Sequence, residues 1–292
     1  SSDVCSSDLK YLLETFKSRK TPLDPIMSNS PPTTRMETGG FRIEIVDDPA
    51  EICRLAAGEI QRLAERKASA AKPFAIALSG GSTPRGLHAL LANDPAVRDR
   101  LPWRYMHFFW GDERHVPPDH PRSNYRMAHD TLLSLAPVSA ENIHRVQSEE
   151  PDAALAAEKY EQELRTFFDL EAGQLPRFDC ILLGMGPDGH TASLFPGTEA
   201  LQETKRLAVA NWVDKFKTYR ITLTVPVLNH ADLVVFLVSG AEKAEALKEV
   251  LQGDFRPDRF PAQLIRPVHG RLLWLVDQAA AASLTDATKA EI

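Results

Sequence analysis

Phe178-Asp-Cys-Ile-Leu-Leu183 runs straight into Gly184-Met-Gly-Pro-Asp-Gly-His190, and this junction decides how the chain is read. The apolar run has the length and β-branched or aliphatic content of a buried strand. The glycines that follow mark a sharp turn at its carboxyl end. The same grammar recurs outward from the junction. Phe41–Val46, Phe74–Leu78, Tyr105–Trp110, Tyr219–Val225, Leu233–Val238 and Arg271–Val276 read as strands. Between them lie amphipathic helical stretches at about 49–67, 84–91, 124–135 and 152–168, a helix opened by a capping box at Ser239-Gly-Ala-Glu242, and a closing Ala-rich helix. Near-continuous apolar strands alternating with helices indicate an α/β protein, with a largely parallel sheet covered on both faces. In such sheets ligands sit beyond the carboxyl ends of the strands, so the residues following each strand carry the functional information.

Composition narrows the function classes. A net charge of −6 over 292 residues argues against a nucleic-acid or membrane-surface binder. No apolar stretch approaches the roughly 20 residues of a membrane span, and no signal-peptide core is evident near residue 1. Cys5, Cys53 and Cys180 form no CxxC pair and no metal-ligand spacing. A cytoplasmic setting, with no metal and no cofactor, is expected. Residues 1–38, rich in Ser, Pro and Thr, read as a disordered or non-native extension, and 39–292 as a single α/β domain.

Three strand ends carry polar chemistry. Ser79-Gly80-Gly81-Ser82-Thr83-Pro84 is a glycine turn feeding a helix, with Thr83 as N-cap and Pro84 at the first helical position. Such a turn presents free N–H groups to a phosphate, or simply makes a tight connection. Gly111-Asp-Glu-Arg-His-Val-Pro117 and Arg122-Ser-Asn-Tyr-Arg126 crowd acids and arginines at the next strand end. Arg114 suits a bidentate phosphate or carboxylate contact, with Asp112 or Glu113 orienting it and Arg126 nearby. A solvated salt-bridge cluster is the plainer alternative.

The third end contains G-x-G-x-x-G, yet Pro187 and Asp188 put bulk and negative charge where a pyrophosphate would approach. No acid follows at the spacing of a ribose partner, so dinucleotide binding is rejected. What remains is His190, an imidazole suited to moving a proton, beside Asp188 as an orienting carboxylate.

Together these blocks, with Arg220-Ile-Thr-Leu-Thr224, Ser239-Gly-Ala-Glu-Lys243 and Trp274-Leu-Val-Asp277, resemble the 6-phosphogluconolactonase family over roughly 41–280. The resemblance implies a modified Rossmann-like fold shared with glucosamine-6-phosphate deaminases. It implies metal-free hydrolysis of 6-phospho-D-glucono-1,5-lactone in the oxidative pentose phosphate pathway. It also implies that His190 is catalytic, Arg114 binds substrate, and Lys215 (alternatively Lys217) holds the phosphate with the 79–84 loop. The expected partner is a small phosphosugar lactone, and the expected state a monomer or small homo-oligomer. Deaminases carry a glutamate five residues after the histidine, where this chain has Phe195. A sugar-phosphate-sensing regulator would need a DNA-binding helix-turn-helix, for which residues 1–40 lack the apolar content.

Overall fold

The computed structural model describes residues 34–38 and 41–285, all within one compact unit. Its main sheet has seven strands in the order β1 (Thr34–Thr38), β2 (Phe41–Val46), β10 (Arg271–Asp277), β9 (Leu233–Val238), β6 (Cys180–Leu183), β3 (Phe74–Leu78) and β4 (Met106–Trp110). Every pairing is parallel except that of the edge strand β1 with β2. Every residue of β3, β6 and β9 is buried, the signature of strands covered on both faces, as their unbroken apolar runs predict. Trp274 of β10 stacks on Phe236 of β9 with ring centroids 3.7 Å apart, tying two adjacent parallel strands through their side chains.

The helices follow local rules. In helix Pro49–Ser69 the Asp48 side chain accepts from Glu51 N at 2.9 Å and Pro49 occupies the first turn. Ile52, Ala56, Ile60 and Leu63 form its buried stripe.

Strand β3 is the switch point. From it the chain steps to β4 on one side, then returns through β6 on the other and continues outward to β9 and β10. Connections from neighbouring strands therefore diverge, and a crevice opens above β3 and β6. A second sheet of β5 (Asp112–Arg114), β8 (Thr218–Leu223) and β7 (Ala208–Val213) is wholly antiparallel. β5 follows β4 after one glycine, so this small sheet grows directly from the crevice's edge.

Several expectations are corrected. Thr34–Thr38, assigned to the extension, forms β1; residues 1–33 and 39–40 lie outside the described residues. β5 and β7 were not expected, because three residues of mixed charge and Ala208-Val-Ala-Asn-Trp-Val213 carry weak strand signals. Thr83 is not an N-cap: the helix runs Ser82–Asn93 with Gly81 (φ +117°) before it. The 124–135 segment is a short α-helix, Asn124–Ala128, continuing into a π-turn over His129–Leu133. Ser239 does not cap a helix. Its hydroxyl donates to Asp277 Oδ2 (2.6 Å), and Gly240 N donates to the same carboxylate. The α-helix there is Ala244–Gln252. Residues 278–283 make turns rather than a closing helix, with Ala280 N bound to Asp277 Oδ1 at 2.8 Å.

Candidate active site

Four strand ends of the main sheet and two strands of the small sheet enclose a cavity of about 230 Å³. Its lining includes the 79–84 loop after β3, Asp112 and Arg114 after β4, Gly184–Gly186 and His190 after β6, Lys243 after β9, and Arg220 from β8.

The glycine loop needs its glycines for two reasons. Gly81 sits at φ +117°, where L side chains are strained. A Cβ on Gly80 would collide with the carboxamide of Asn124, whose Nδ2 donates to the Asp112 carbonyl at 2.9 Å. The loop thus packs directly against the Asn124 carboxamide, and its residues 79–84 line the cavity.

Glu113 organises the Arg114 segment from within. Its buried carboxylate accepts from Arg114 N, Asn124 N and Tyr125 N, each at 2.7 Å, and from Ser123 Oγ at 3.1 Å. Burial pushes its proton affinity up, and the three backbone N–H groups oppose that by favouring the carboxylate. Glu113 therefore orients Arg114 through the backbone, not through its guanidinium. Asp112 instead accepts from Ser193 Oγ at 2.6 Å, tying β5 to the 190s loop.

Arg114 Nη1 donates to the Arg122 carbonyl (2.6 Å), and among the described residues no carboxylate pairs with it. Register places Arg114 directly opposite Arg220. Like charges opposite one another in a sheet repel, and neither Nε has a partner although both are buried. Burial, and then the charge of Arg114, lowers the proton affinity of Arg220. Burial likewise lowers that of Lys243, although Glu242 and Asp277 oppose it. Three cations, Arg114, Arg220 and Lys243, thus line one polar cavity with the carboxylate of Asp112, a charge balance that suits an anion.

His190 stands across the cavity. Its Nδ1 meets Asp188 Oδ1, and its carbonyl accepts from Gly186 N at 2.9 Å. Gly189, at φ +72°, closes that turn. Burial alone would raise the proton affinity of Asp188, but the His190 hydrogen bond and charge, then Lys215, hold its carboxyl well below the usual carboxylate range. An ionised Asp188 on Nδ1–H leaves the lone pair on Nε2, which bonds to no described residue.

His190, Asp188, Arg114, Asp112 and the loop residues Gly80, Gly81, Ser82 and Thr83 are thus gathered as the sequence suggests. Two expected residues stand elsewhere. Arg126 donates to the Asp119 carbonyl and pairs with Asp130 at 3.4 Å, outside the cavity lining. Lys215 reaches Asp188 Oδ2 at 3.3 Å and lines a neighbouring larger groove, while Lys217 pairs with Asp214. Sequence reasoning passed over Arg220, Lys243, Asn124 and Ser193. Lys243 was accessible to it, since the same strand-end rule applies after β9. Arg220 was not, because only the pairing of β5 with β8 brings it to the cavity.

A family model described as glucosamine-6-phosphate isomerases/6-phosphogluconolactonase matches residues 47–274. The chain is 48% identical over 212 residues to a 6-phosphogluconolactonase of Nostoc sp., covering 73% of this chain and 85% of that one. It is 48% identical over 209 residues to the Synechocystis sp. 6-phosphogluconolactonase, covering 72% and 84%. The solved structure of 6-phosphogluconolactonase from Trypanosoma cruzi superposes with a TM-score of 0.74 at 31% identity, over 86% of this chain and 99% of that one. With its six-stranded parallel core and its crevice above β3 and β6, the chain belongs to the glucosamine-6-phosphate isomerase/6-phosphogluconolactonase family.

Proposed function

We propose that this chain hydrolyses 6-phospho-D-glucono-1,5-lactone to 6-phosphogluconate, as the second step of the oxidative pentose phosphate pathway. One observation carries the reading: the imidazole of His190, backed by Asp188, shares a single cavity with Arg114, Arg220, Lys243 and the 79–84 loop. A dianionic phosphate and an ester carbonyl on one small molecule match the two halves of that cavity.

The chemistry follows from the groups present. The 79–84 amides, Arg220 and Lys243 hold the phosphate and so fix the lactone carbonyl near His190. Neutral His190 takes a proton at Nε2 from a water whose oxygen bonds to the carbonyl carbon. Arg114 offsets the negative charge that collects on the carbonyl oxygen. As the tetrahedral intermediate collapses, the bond from the carbonyl carbon to the ring oxygen breaks, and His190 returns the proton to that oxygen. The products are the free hydroxyl and a carboxylic acid, which ionises. Asp188 keeps the ring in the productive tautomer and stabilises its transient charge. Lys215, exposed and paired to Asp188, acts on this dyad rather than on the phosphate.

The deaminase alternative loses its second acid, since Phe195 occupies that position and lays its ring against His190. We also place this activity in one domain over 39–292, in the cytoplasm, acting on a free small molecule as a monomer or small homo-oligomer. Among the described residues no helix is long and apolar enough to cross a membrane.

The test is lactone hydrolysis corrected for spontaneous ring opening, run on the wild type and His190→Ala, with ammonia release from glucosamine 6-phosphate measured in parallel. His190→Ala is expected to leave only the spontaneous rate, with no ammonia from either protein. Near-normal hydrolysis by His190→Ala, or ammonia from the wild type, overturns the reading.

A further inference from the structure

The segment between His190 and Phe195 turns back on itself. Thr191 and Leu194 form an isolated antiparallel bridge, and Leu194 N donates to the Thr191 carbonyl at 2.9 Å. Ala192 sits in the left-handed region at φ +48°, a conformation that costs an ordinary residue on the order of 1 kcal/mol. The turn's outcome is a stack. The Phe195 ring lies over the His190 imidazole with centroids 4.1 Å apart and planes 22° from parallel. Phe195 is itself buried, and its carbonyl is anchored by Thr198 Oγ1 at 2.8 Å. Behind it Phe216 packs edge-on, with centroids 5.8 Å apart.

We propose that Phe195 is a positioning residue for the lactonase reaction, its ring face fixing the plane of His190 and favouring the imidazolium that forms as water is deprotonated. The inference rests on the reading of His190 as the base. Three surfaces enclose the imidazole: Asp188 at Nδ1, Gly186 along the Nδ1–Cε1 edge, and Phe195 over one face. The first two are polar or backbone contacts that fix the ring's edge. Phe195 is the aromatic ring stacked on the imidazole face among the described residues, where it opposes rotation of the imidazole out of its own plane. An aromatic face carries negative electrostatic potential, so it attracts a cationic ring more than a neutral one. That difference appears only once the proton has been transferred, so it assists the chemical step and leaves substrate binding untouched. The charged groups around His190 are Asp188 beside it, Lys215 through Asp188, and Asp112, Arg114, Arg220 and Lys243 lining the same cavity. Phe195 is an uncharged contact on the ring face, so it can be altered without changing the local charge.

The test compares Phe195→Leu, which removes the ring, with Phe195→Tyr, which keeps it. In Phe195→Leu we expect kcat to fall about three- to tenfold with KM within twofold of wild type. The acidic limb of its kcat/KM profile moves about half a pH unit lower, the size of a partly desolvated cation–π contact. Phe195→Tyr is expected to restore both. If Phe195→Leu is recovered unfolded, Phe195→Met carries the same two expectations. Wild-type kcat and an unmoved limb in the folded ring-less variant overturn the inference, as does equal impairment of the tyrosine variant. An inactive His190→Ala beside a normal Phe195→Leu defeats this inference alone, whereas an active His190→Ala defeats the reading beneath it.

Discussion

Gly186→Ala isolates the geometry of His190 from its chemistry. Gly186 has an ordinary, non-left-handed φ, so its backbone accepts alanine without strain. The whole cost is steric. An added Cβ would overlap Cε1 and Nδ1 of His190 and stand 2.8 Å from Asp188 Oδ1. Ordinary carbon contacts lie at about 3.5–4.0 Å, so the ring must retreat by more than about 1 Å. It cannot do so and keep both the Asp188 contact and the Phe195 stack. Displacement of a catalytic group by about 1 Å costs on the order of 10²-fold. We therefore expect kcat to drop by about that factor, with KM changed by less than about threefold, because the cations and the 79–84 loop stand on other strand ends. Overpacking by one methyl costs about 1–3 kcal/mol. For a domain of this size that is about 2–12 °C in Tm, so the variant remains folded at assay temperature. Gly58→Ala, in the helix 49–69 with nothing within 4 Å of its added Cβ, is the control. It should gain about 0.5–1 kcal/mol and keep wild-type kcat. Corrected lactone hydrolysis with thermal unfolding checks both. A Gly186→Ala protein within twofold of wild-type kcat would refute the claim that His190 must sit where the structure places it.

Asp188→Asn should lower kcat at least about 10²-fold by losing the charge on Nδ1–H and the tautomer it selects. Because its partners hold Asp188 below the ordinary carboxylate range, its stabilising contribution is complete above the unfolded value near 4 and fades only as pH falls below it. The Tm gap between Asp188→Asn and wild type should thus persist from pH 7 to about 4 and close in stronger acid; a gap that closes between pH 7 and 5 would contradict the assignment. Lys243→Ala and Lys215→Ala should separate binding from catalysis. The first is expected to raise KM about tenfold or more, with inorganic phosphate losing its power to compete, and the second to lower kcat a few-fold with KM unchanged. The opposite pattern would return Lys215 to the phosphate.

The strand ends were legible because the signals there are local. An apolar run bounded by glycine identifies β3 and β6 without any partner, and parallel order follows from strands that are apolar throughout. Ser79–Pro84, Arg114, Asp188 and His190 could be picked out for the same reason, each lying within a few residues of such a run. What local signals could not carry was pairing. The three residues of β5 have no strand character of their own; β8 supplies it, and with it the confrontation of Arg114 and Arg220.

Lys215 shows the limit from the other side. The family resemblance implied a phosphate ligand at Lys215 or Lys217; the structure pairs Lys215 with Asp188 Oδ2, and Lys217, in the left-handed region, with Asp214. Ser239 looked like a cap because Glu242 stands three residues on; the carboxylate of Asp277, 38 positions away, competes successfully for its hydroxyl. The amino-acid sequence by itself determined a parallel α/β sheet, its ligand edge and the histidine at its centre, since periodicity and turn chemistry act over a few residues. Tertiary structure alone decided which cations face that histidine and which ring covers it, because contacts between residues far apart along the chain exist only once the two sheets have closed on one cavity.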